Sequence, residues 1–157
     1  MKYDEKAKLI NKEQIKEDLF KYTLQTENIA KNAKPGNFIE MKVADTSTVF
    51  LRRPISIFNI DGNNIEVIFQ VKGKGTKCLS EKQVGDEIDI LGPLGLGTFE
   101  VDNFDKVAII GGGIGVFPLY ELAKQLKGKT KINTYLGFRN KDFVVVEDEF
   151  KAVSDNL

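Results

Sequence analysis

A glycine cluster at positions 111–115 is the segment of the sequence best suited to approach a phosphate. It lies between an apolar run and a segment with helical periodicity, and its glycines are Gly111, Gly112, Gly113 and Gly115. Glycine lets the backbone turn tightly against a ligand, and a helix N-terminus offers unpaired N–H groups to a phosphate. The pattern therefore predicts a nucleotide-binding turn, with an ordinary strand–helix turn as the alternative.

The residues after the next predicted strand depart from the strict dinucleotide pattern. The Rossmann fingerprint has an acidic residue about 20 residues after its glycines. This chain has Gly137-Phe138-Arg139 after that strand instead. An arginine beside an open glycine suits a phosphate or a 2′-phosphate, and an ordinary turn is the alternative. The glycine cluster is therefore not a plain dinucleotide fingerprint.

Lysine and glycine alternate in a second candidate, Lys72-Gly73-Lys74-Gly75-Thr76, between a predicted strand and a short helix predicted at residues 77–82. Thr76 is a good N-cap for that helix, because its hydroxyl can accept from a free backbone N–H. Two glycines and two lysines would form a small anion cradle. A glycine-containing turn with solvated lysines is the alternative, with equal weight.

Two of the three arginines of the chain lie in a third candidate, Arg52-Arg53-Pro54-Ile55-Ser56-Ile57. The proline fixes the local backbone beside them. A fixed arginine, with a serine three residues later at the mouth of a strand, would hold a phosphate and the edge of an aromatic ring. The alternative is a basic edge strand whose serine bonds locally.

Composition and charge exclude several classes of protein. The chain of 157 residues is 41% hydrophobic and 29% charged, which is typical of a globular protein. Its formal net charge of zero does not favour nucleic acid as a partner. The absence of histidine excludes histidine-based acid–base chemistry, and the single cysteine, Cys78, excludes an internal disulfide and a multi-cysteine metal site. We expect a cytoplasmic protein, because there is one thiol, no signal peptide and no apolar run long enough to span a membrane.

The chain divides into two unequal parts that together predict a β barrel followed by an α/β unit. Residues 1–100 contain short alternating segments separated by turns, which favours a small antiparallel barrel. Residues 5–18 fit a first strand or a short helix equally well. The other predicted strands are residues 19–26, 38–43, 55–60, 65–71 and 87–91, with a hairpin at Asp61-Gly62-Asn63-Asn64.

Residues 101–157 predict one β-α-β unit. The run at 106–110 is typical of a strand buried on both faces, residues 117–126 have helical periodicity, and 132–137 form a second strand. A last short helix is expected within residues 147–153. A two-stranded parallel sheet is too small to stand alone, so either this part packs heavily on the first or the chain is shorter than its architecture. We favour the second explanation.

Taken together and in this order, the motifs resemble the ferredoxin-reductase-type flavoproteins, which pair a FAD-binding barrel with a nicotinamide-nucleotide domain. Within them, the chain is most similar to the electron-transfer subunits of NAD-dependent (class 1B) dihydroorotate dehydrogenase, in pyrimidine (UMP) biosynthesis. The resemblance covers essentially the whole chain. The matching stretches begin at Pro35, Arg52, Lys72, Leu91, Gly111 and Pro118.

The resemblance implies a FAD site and a role for its residues. Arg53 would pair with the phosphate side of the flavin, and Ser56 would lie against the isoalloxazine ring. Gly75 and Thr76 would present N–H and hydroxyl donors to the pyrophosphate. The glycine cluster would receive NADH for hydride transfer to the flavin, and no catalytic acid–base residue is expected because the cofactor carries that chemistry. The residues expected to line FAD are Arg53, Pro54, Ile55, Ser56, Gln70, Val71, Lys72, Gly75 and Thr76.

The resemblance also implies a partner, the FMN-containing catalytic subunit of dihydroorotate dehydrogenase, in a heterotetramer. Electrons would pass from NADH through FAD and, in full-length members, through a 2Fe–2S cluster held by four cysteines. Those members continue past position 157, whereas this chain has neither the rest of the nucleotide domain nor the cluster ligands. We therefore expect a truncated gene product, a fragment or a proteolysed remnant that binds FAD without completing electron transfer.

Two other interpretations stay open, and one physical expectation follows. The chain could be the flavin subunit of a related ferredoxin:NADP oxidoreductase or of a sulfide- or hydrogen-linked complex, or it could be a non-catalytic FAD-binding module. Residues 107–110 and the neighbouring strand would expose apolar surface and a sheet edge. We therefore expect dimerisation, swapping or low solubility.

Overall fold

Six antiparallel strands close into a barrel in this computed structural model, which describes residues 1–44, 49–96, 99 and 104–157. The strand order around the barrel is β1-β2-β5-β4-β3-β6, which confirms the fold class predicted for the first part. The domain boundary predicted between residues 100 and 101 lies outside the described residues. The strands are β1 (Tyr3–Lys16), β2 (Leu19–Gln25), β3 (Phe38–Met41), β4 (Arg53–Asp61), β5 (Asn64–Gln70) and β6 (Glu87–Leu94).

The opening segment forms the first barrel strand. Of the two alternatives given above for residues 5–18, the strand is therefore correct. Ala7 and Leu9 of β1 are buried, whereas Lys6 and Lys8 are exposed, as the two-residue period of a strand requires. A two-residue turn at positions 17–18 then leads into β2, with Lys16 and Leu19 paired across it. This turn places an acidic residue at the end of the barrel where the candidate site lies.

The predicted hairpin joins β4 to β5. Asp61 pairs with Asn64 across a two-residue turn, and Gly62 in that turn has φ +57°. Glycine adopts this left-handed conformation without steric cost, so the turn suits its sequence. The hairpin brings together the two strands that carry most of the predicted flavin-binding residues.

Apolar side chains from all six strands fill the barrel, and two short helices pack on it. These helices are α1 (Ile29–Asn32) and α2 (Lys74–Ser80), and Leu79 of α2 is fully buried in the barrel core. The buried hydroxyl of Tyr22 donates to the backbone oxygen of Leu79. Burial, together with the negative charge of Asp86, raises the pKa of Tyr22 to about 12. The C-terminal end of α2 is thereby fixed to the barrel.

The second part is the predicted β-α-β unit. Its two strands are parallel, and the helix between them begins as a 3₁₀ turn rather than as an α-helix throughout. Pro118 lies inside this turn, and it has no N–H for an α-helical hydrogen bond. The elements are β7 (Lys106–Gly112), a 3₁₀ helix (Gly113–Leu119), α3 (Tyr120–Leu126), β8 (Lys131–Gly137), a 3₁₀ turn (Lys141–Phe143) and α4 (Glu147–Val153). The last of these confirms the predicted helix at 147–153.

The prediction that the strand at 106–110 is buried on both faces is wrong. Ile109 of β7 is buried, but Ile110 is 74% exposed, and its neighbour Tyr135 on β8 is 59% exposed. The described helices of this part belong to one core on a single face of the sheet, so alternate side chains face solvent. The predicted exposure of apolar surface is therefore confirmed.

The second part packs directly on the barrel, as the first of the two explanations above requires. Leu19, Phe58 and Ile68 of the barrel share one core with the apolar residues of β7, α3 and α4. The rings of Phe58 and Tyr120 stack with their centroids 4.5 Å apart. Among the described ranges, no helix is both long enough and apolar enough to cross a bilayer.

Candidate functional site

A groove of about 500 Å³ separates the barrel from the second part. Its barrel wall includes Asp18, Gln70 and Lys72, and its opposite wall includes Gly113 and Arg139. A smaller cavity of about 170 Å³ adjoins it and shares Gln70, Lys72, Ile114 and Phe117 with it. The two spaces form one cleft between the predicted flavin-binding strands and the predicted nucleotide-binding turn.

Three of the predicted flavin-binding residues on β4 line the smaller cavity. Pro54, Ile55 and Ser56 lie there together with Gln70, at the end of β5, and Lys72, two residues beyond it. They meet because β4 runs antiparallel to β5, with Ile57 opposite Val67. The cavity therefore offers apolar surface for a ring and polar groups at its rim.

The amide of Gln70 has a fixed orientation, because a turn residue holds it. Its Nε2 donates to Oδ2 of Asp18 at 2.6 Å. An ionised carboxylate can only accept, so the amide nitrogen must face Asp18 and the amide oxygen must face elsewhere. The sequence alone did not single out Asp18, because its closeness to Gln70 depends on the β1–β2 turn.

Val71 does not line either cavity. Its side chain packs on the barrel core, and its N–H donates to the backbone oxygen of Asp18 at 2.7 Å. The backbone group of Val71 that faces Asp18 is thus already paired. The role predicted for this residue at the cofactor stays a prediction.

A second cluster joins Arg53 to Gly75 at the start of α2. A Cβ atom at Gly75 would lie 2.5 Å from Nε of Arg53 and 2.7 Å from its Cζ. The guanidinium therefore lies directly on the backbone of Gly75, which only a residue without a side chain permits. Nη1 of Arg53 donates to the backbone oxygens of Leu51 and Arg52 at 2.7 and 3.2 Å. Its Nε and Nη2 have no hydrogen-bond partner among the residues that the structure describes.

Arg52, the neighbour of Arg53, has a structural role instead. Its Nη2 forms a 2.7 Å ion pair with Oδ1 of Asp89, and its Nη1 donates to the backbone oxygen of the same residue at 3.1 Å. These contacts fasten the start of β4 to β6. Both terminal nitrogens of Arg52 are thus bound to the barrel, whereas Nη2 of Arg53 has no partner among the described residues.

The helix after β5 starts earlier than predicted, so the prediction that Thr76 is its N-cap is wrong. Helix α2 begins at Lys74, and Gly73 occupies the N-cap. The Thr76 hydroxyl accepts from the N–H groups of Lys72 and Gly73 at 2.9 and 3.2 Å, and donates to the backbone oxygen of Gly73 at 3.1 Å. The hydroxyl therefore shapes the turn from inside the helix.

The four glycines of the cluster have different roles. A Cβ at Gly111 would lie 2.9 Å from Cδ1 of Leu119, so this glycine lets the 3₁₀ helix pack closely on β7. Gly113 has φ +54°, has open space where a Cβ would be, and lines the groove. Gly112 and Gly115 line neither cavity. Of the predicted nucleotide-binding glycines, the structure brings one to the cleft.

Cations and carboxylates both line the larger groove. Lys72 and Arg139 contribute positive charge, and Cζ of Arg139 lies 5.6 Å from the centroid of the Phe143 ring. Asp18 and Asp142 contribute negative charge. The described residues contain no group of three or more histidine, cysteine, aspartate or glutamate side chains that could hold a metal ion. The arrangement suits a charged, aromatic organic ligand.

A barrel with this cleft is the architecture of the flavin-binding oxidoreductases. Residues 6–99, more than half of the chain, match the family described as the oxidoreductase FAD-binding domain, and the chain belongs to that family. Its similarity is high to "Dihydroorotate dehydrogenase B (NAD(+)), electron transfer subunit" of Lysinibacillus sphaericus, at 40% identity over 96% of this chain and 60% of the relative. The subunit of the same name from Geobacillus thermodenitrificans is 40% identical over 96% of this chain and 61% of the relative. The chain thus spans about 60% of the length of these relatives.

Solved structures show the same fold. The NADH-dependent reduced ferredoxin-NADP oxidoreductase, a protein of flavin-based electron bifurcation, superposes with a TM-score of 0.85 at 35% identity, over 96% of this chain and 55% of that one. A cytochrome P450 reductase of Amycolatopsis superposes with a TM-score of 0.81 at 23% identity, over 97% of this chain and 48% of that one. The second similarity concerns the fold alone.

Proposed function

We propose that this chain binds FAD in the cleft and serves as the flavin-carrying part of an electron-transfer subunit of dihydroorotate dehydrogenase. The observation that carries the proposal is the contact between Arg53 and Gly75, beside a cavity that β4 and β5 line together. Membership of the FAD-binding family and 40% identity to named electron-transfer subunits support it.

The residues present fit FAD in charge and in shape. The uncommitted donors of Arg53 suit the negatively charged pyrophosphate, for which a bidentate guanidinium is well adapted. Pro54 and Ile55 offer apolar surface to a ring, while the hydroxyl of Ser56 and the oriented amide of Gln70 offer hydrogen bonds to its polar edge. When bound, FAD supplies the two-electron chemistry that no side chain of this chain provides.

We also propose that NADH approaches from the opposite wall of the cleft. Gly113 and Ile114 bring backbone to the groove, and Arg139 places a cation near it. Gly111 supports this wall by letting the 3₁₀ helix pack closely on β7. The protein's task there is to hold the two ring systems close together and to limit the access of water, rather than to move a proton.

The partner and the location are proposals of the same kind. The name of the relatives describes them as subunits, which favours the FMN-containing catalytic subunit of dihydroorotate dehydrogenase as partner, in a heterotetramer. A 2Fe–2S cluster would belong to the longer members of the family. The single thiol, Cys78, is typical of a protein of the reducing cytoplasm.

A second candidate is the flavin subunit of a ferredoxin:NADP oxidoreductase. The solved structure with that description is 35% identical and superposes with a TM-score of 0.85. The two candidates share the FAD site and differ in the electron acceptor. Assembly with a dihydroorotate dehydrogenase catalytic subunit, followed by assay with dihydroorotate, would support the first candidate and exclude the second.

The proposal is tested by the visible spectrum of the purified chain and by titration with FAD. We expect a flavin spectrum, identification of FAD after heat release, and a larger loss of FAD occupancy in Arg53→Ala than in Arg139→Ala. Arg139→Ala is the matched control because it removes a cation from the opposite wall. A protein that takes up no FAD, or equal occupancy in both variants, contradicts the proposed site.

A further inference from the structure

Two charged residues of α3, Glu121 and Lys124, reach across the junction to one point on β4. Glu121 is only 3% exposed, and its Oε2 accepts from the N–H of Ile60 at 2.9 Å. Nζ of Lys124 donates to the backbone oxygen of Ile60 and to Oδ1 of Asn59, both at 2.6 Å. We call these four residues the β4 clamp.

The β4 clamp lies where the barrel sheet has an open edge. Strand β3 pairs with β4 from Arg53 to Ser56, and beyond this stretch α3 contacts β4. The β4–β5 register is irregular between Ile57 and Asn59, as at a β-bulge. The N–H and C=O of Ile60 are therefore paired with helix side chains rather than left unsatisfied in the interface.

The polar groups of the clamp form a connected network. Oε2 of Glu121 lies 3.2 Å from Nζ of Lys124, and Oε1 accepts from Nε2 of Gln125 at 2.9 Å. Nδ2 of Asn59 donates to Oε2 of Glu66 on β5 at 3.0 Å. The network thus runs from α3 through β4 to β5, and both oxygens of the buried carboxylate have partners.

Apolar contacts beside the clamp cannot by themselves fix the alignment of α3 with β4. Phe58 at the irregularity stacks on Tyr120, and its ring centroid lies 6.4 Å from that of Phe117 in an edge-to-face arrangement. Such ring pairs have preferred orientations, but stacked rings can slide past each other over small distances. Charge-assisted hydrogen bonds to both backbone groups of one residue, Ile60, require a single alignment.

We infer that Glu121 and Lys124 are positioning residues, which fix the nucleotide-binding wall of the cleft relative to the flavin-binding strand. Each end of the clamp is close in sequence to one wall of the cleft. Ser56 lies four residues before Ile60 on β4, or about 13 Å along the strand. Helix α3 follows directly from the 3₁₀ helix that begins at Gly113. This role at the cleft rests on the proposed function.

An ion pair between the buried carboxylate of Glu121 and the half-buried Lys124 is better suited to fixing geometry than to adding stability. Desolvation of a buried ion pair offsets much of its Coulombic gain, so an apolar replacement of both partners is often close to neutral. Removal of one partner leaves a buried charge without its counterion and is far more costly. If Glu121 and Lys124 serve to align α3 with β4, a variant that replaces both should fold well and still lose the defined arrangement of these two elements.

The test measures the alignment directly, as a distance between spin labels. Labels are attached at Glu87→Cys on the barrel and Lys129→Cys after α3, both exposed positions, in a Cys78→Ser background. We expect one narrow distance distribution in the parent protein. Glu121→Gln, Lys124→Met and the double variant should give broader and shifted distributions at unchanged FAD occupancy. Flavin reduction by NADH should slow by up to about 100-fold, the cost of moving a reactant by about 1 Å.

A matched control is the exposed pair on α4, Glu147 and Lys151, whose charged atoms lie 2.6 Å apart. Glu147→Gln/Lys151→Met should leave the distance distribution unchanged. A narrow, parent-like distribution in the folded Glu121→Gln/Lys124→Met variant would overturn the inference, because a merely structural role changes the melting temperature without moving the labels. If the parent protein takes up no FAD, the proposed function fails, while the distance distribution still decides the role of the clamp.

Discussion

The contact between Arg53 and Gly75 makes a substitution by one methyl group a sharp test of the flavin site. In Gly75→Ala, the new Cβ would lie 2.5 Å from Nε of Arg53. The atoms in conflict are at the far end of a flexible side chain, so the guanidinium can move away while the backbone stays in place. We expect the fold to be retained and the guanidinium of Arg53, the proposed phosphate donor, to be displaced.

The expected changes in stability and affinity have opposite signs. Alanine is favoured over glycine inside a helix by up to about 1 kcal/mol, so the free energy of unfolding without cofactor should be unchanged or slightly higher. A hydrogen bond to a charged group contributes about 1.5–3 kcal/mol, and 1.4 kcal/mol is a tenfold change in affinity. Losing one Arg53 contact therefore weakens FAD binding about 10- to 100-fold.

The assay pairs urea unfolding of the cofactor-free chain with FAD titration followed by flavin fluorescence. Gly73→Ala is the matched control, because a Cβ there meets no atom within 4 Å and the residue lies two positions earlier in the same turn. It should bind FAD nearly as well as the parent chain. Because Gly75→Ala acts through Arg53, the Arg53→Ala/Gly75→Ala double variant should bind no worse than Arg53→Ala alone. Unchanged affinity in Gly75→Ala, or fully additive losses in the double variant, would refute the reasoning.

Three further predictions concern the junction, the open sheet face and the barrel. Phe58→Ala removes a buried ring and should lower the free energy of unfolding by about 3–5 kcal/mol in urea, whereas a change under about 1 kcal/mol would contradict its place in the shared core. Ile110→Lys should reduce self-association in sedimentation experiments without loss of stability, and an unchanged oligomer would exclude the exposed β7–β8 face as the cause. The raised pKa of Tyr22, about 12, means that the unfolded chain ionises first, so stability should fall by roughly 2–3 kcal/mol between about pH 10 and pH 12. That loss should be much smaller in Tyr22→Phe.

The fold was largely predictable because its signals are local. The hairpin turn at residues 61–64, the β-α-β unit and the helix at 147–153 each follow from a short stretch of sequence. The sequence does not decide between a strand and a helix for β1. Ala7 and Leu9 are among its few buried residues, and charged residues obscure the two-residue period of the strand. Burial of β7 on both faces was wrongly predicted, because an apolar run does not reveal which face its neighbours cover.

The candidate site was predictable only in part, because its decisive contacts are non-local. Ser56 and Gln70 were identified from motif order, and the structure places both at one cavity. Asp18 was missed, since it meets Gln70 across 52 positions of sequence. Glu121 was identified only as a member of the matching stretch that begins at Pro118, because its contact with Ile60 spans 61 positions. Sequence patterns identify the ligand-facing residues better than the residues that hold them in place.

Strand β4 is the element on which the proposed chemistry depends. Its start carries Arg53 against α2, its middle carries Ser56 at the cavity, and its end carries Phe58 and Ile60 against α3. On the proposed function, the contacts that would face the phosphate, the ring and the nucleotide all lie along β4, so the path of this one strand would space them. A shift in register along β4 would displace all three together. We therefore expect the contacts of β4 to fix the distance between the two walls of the cleft.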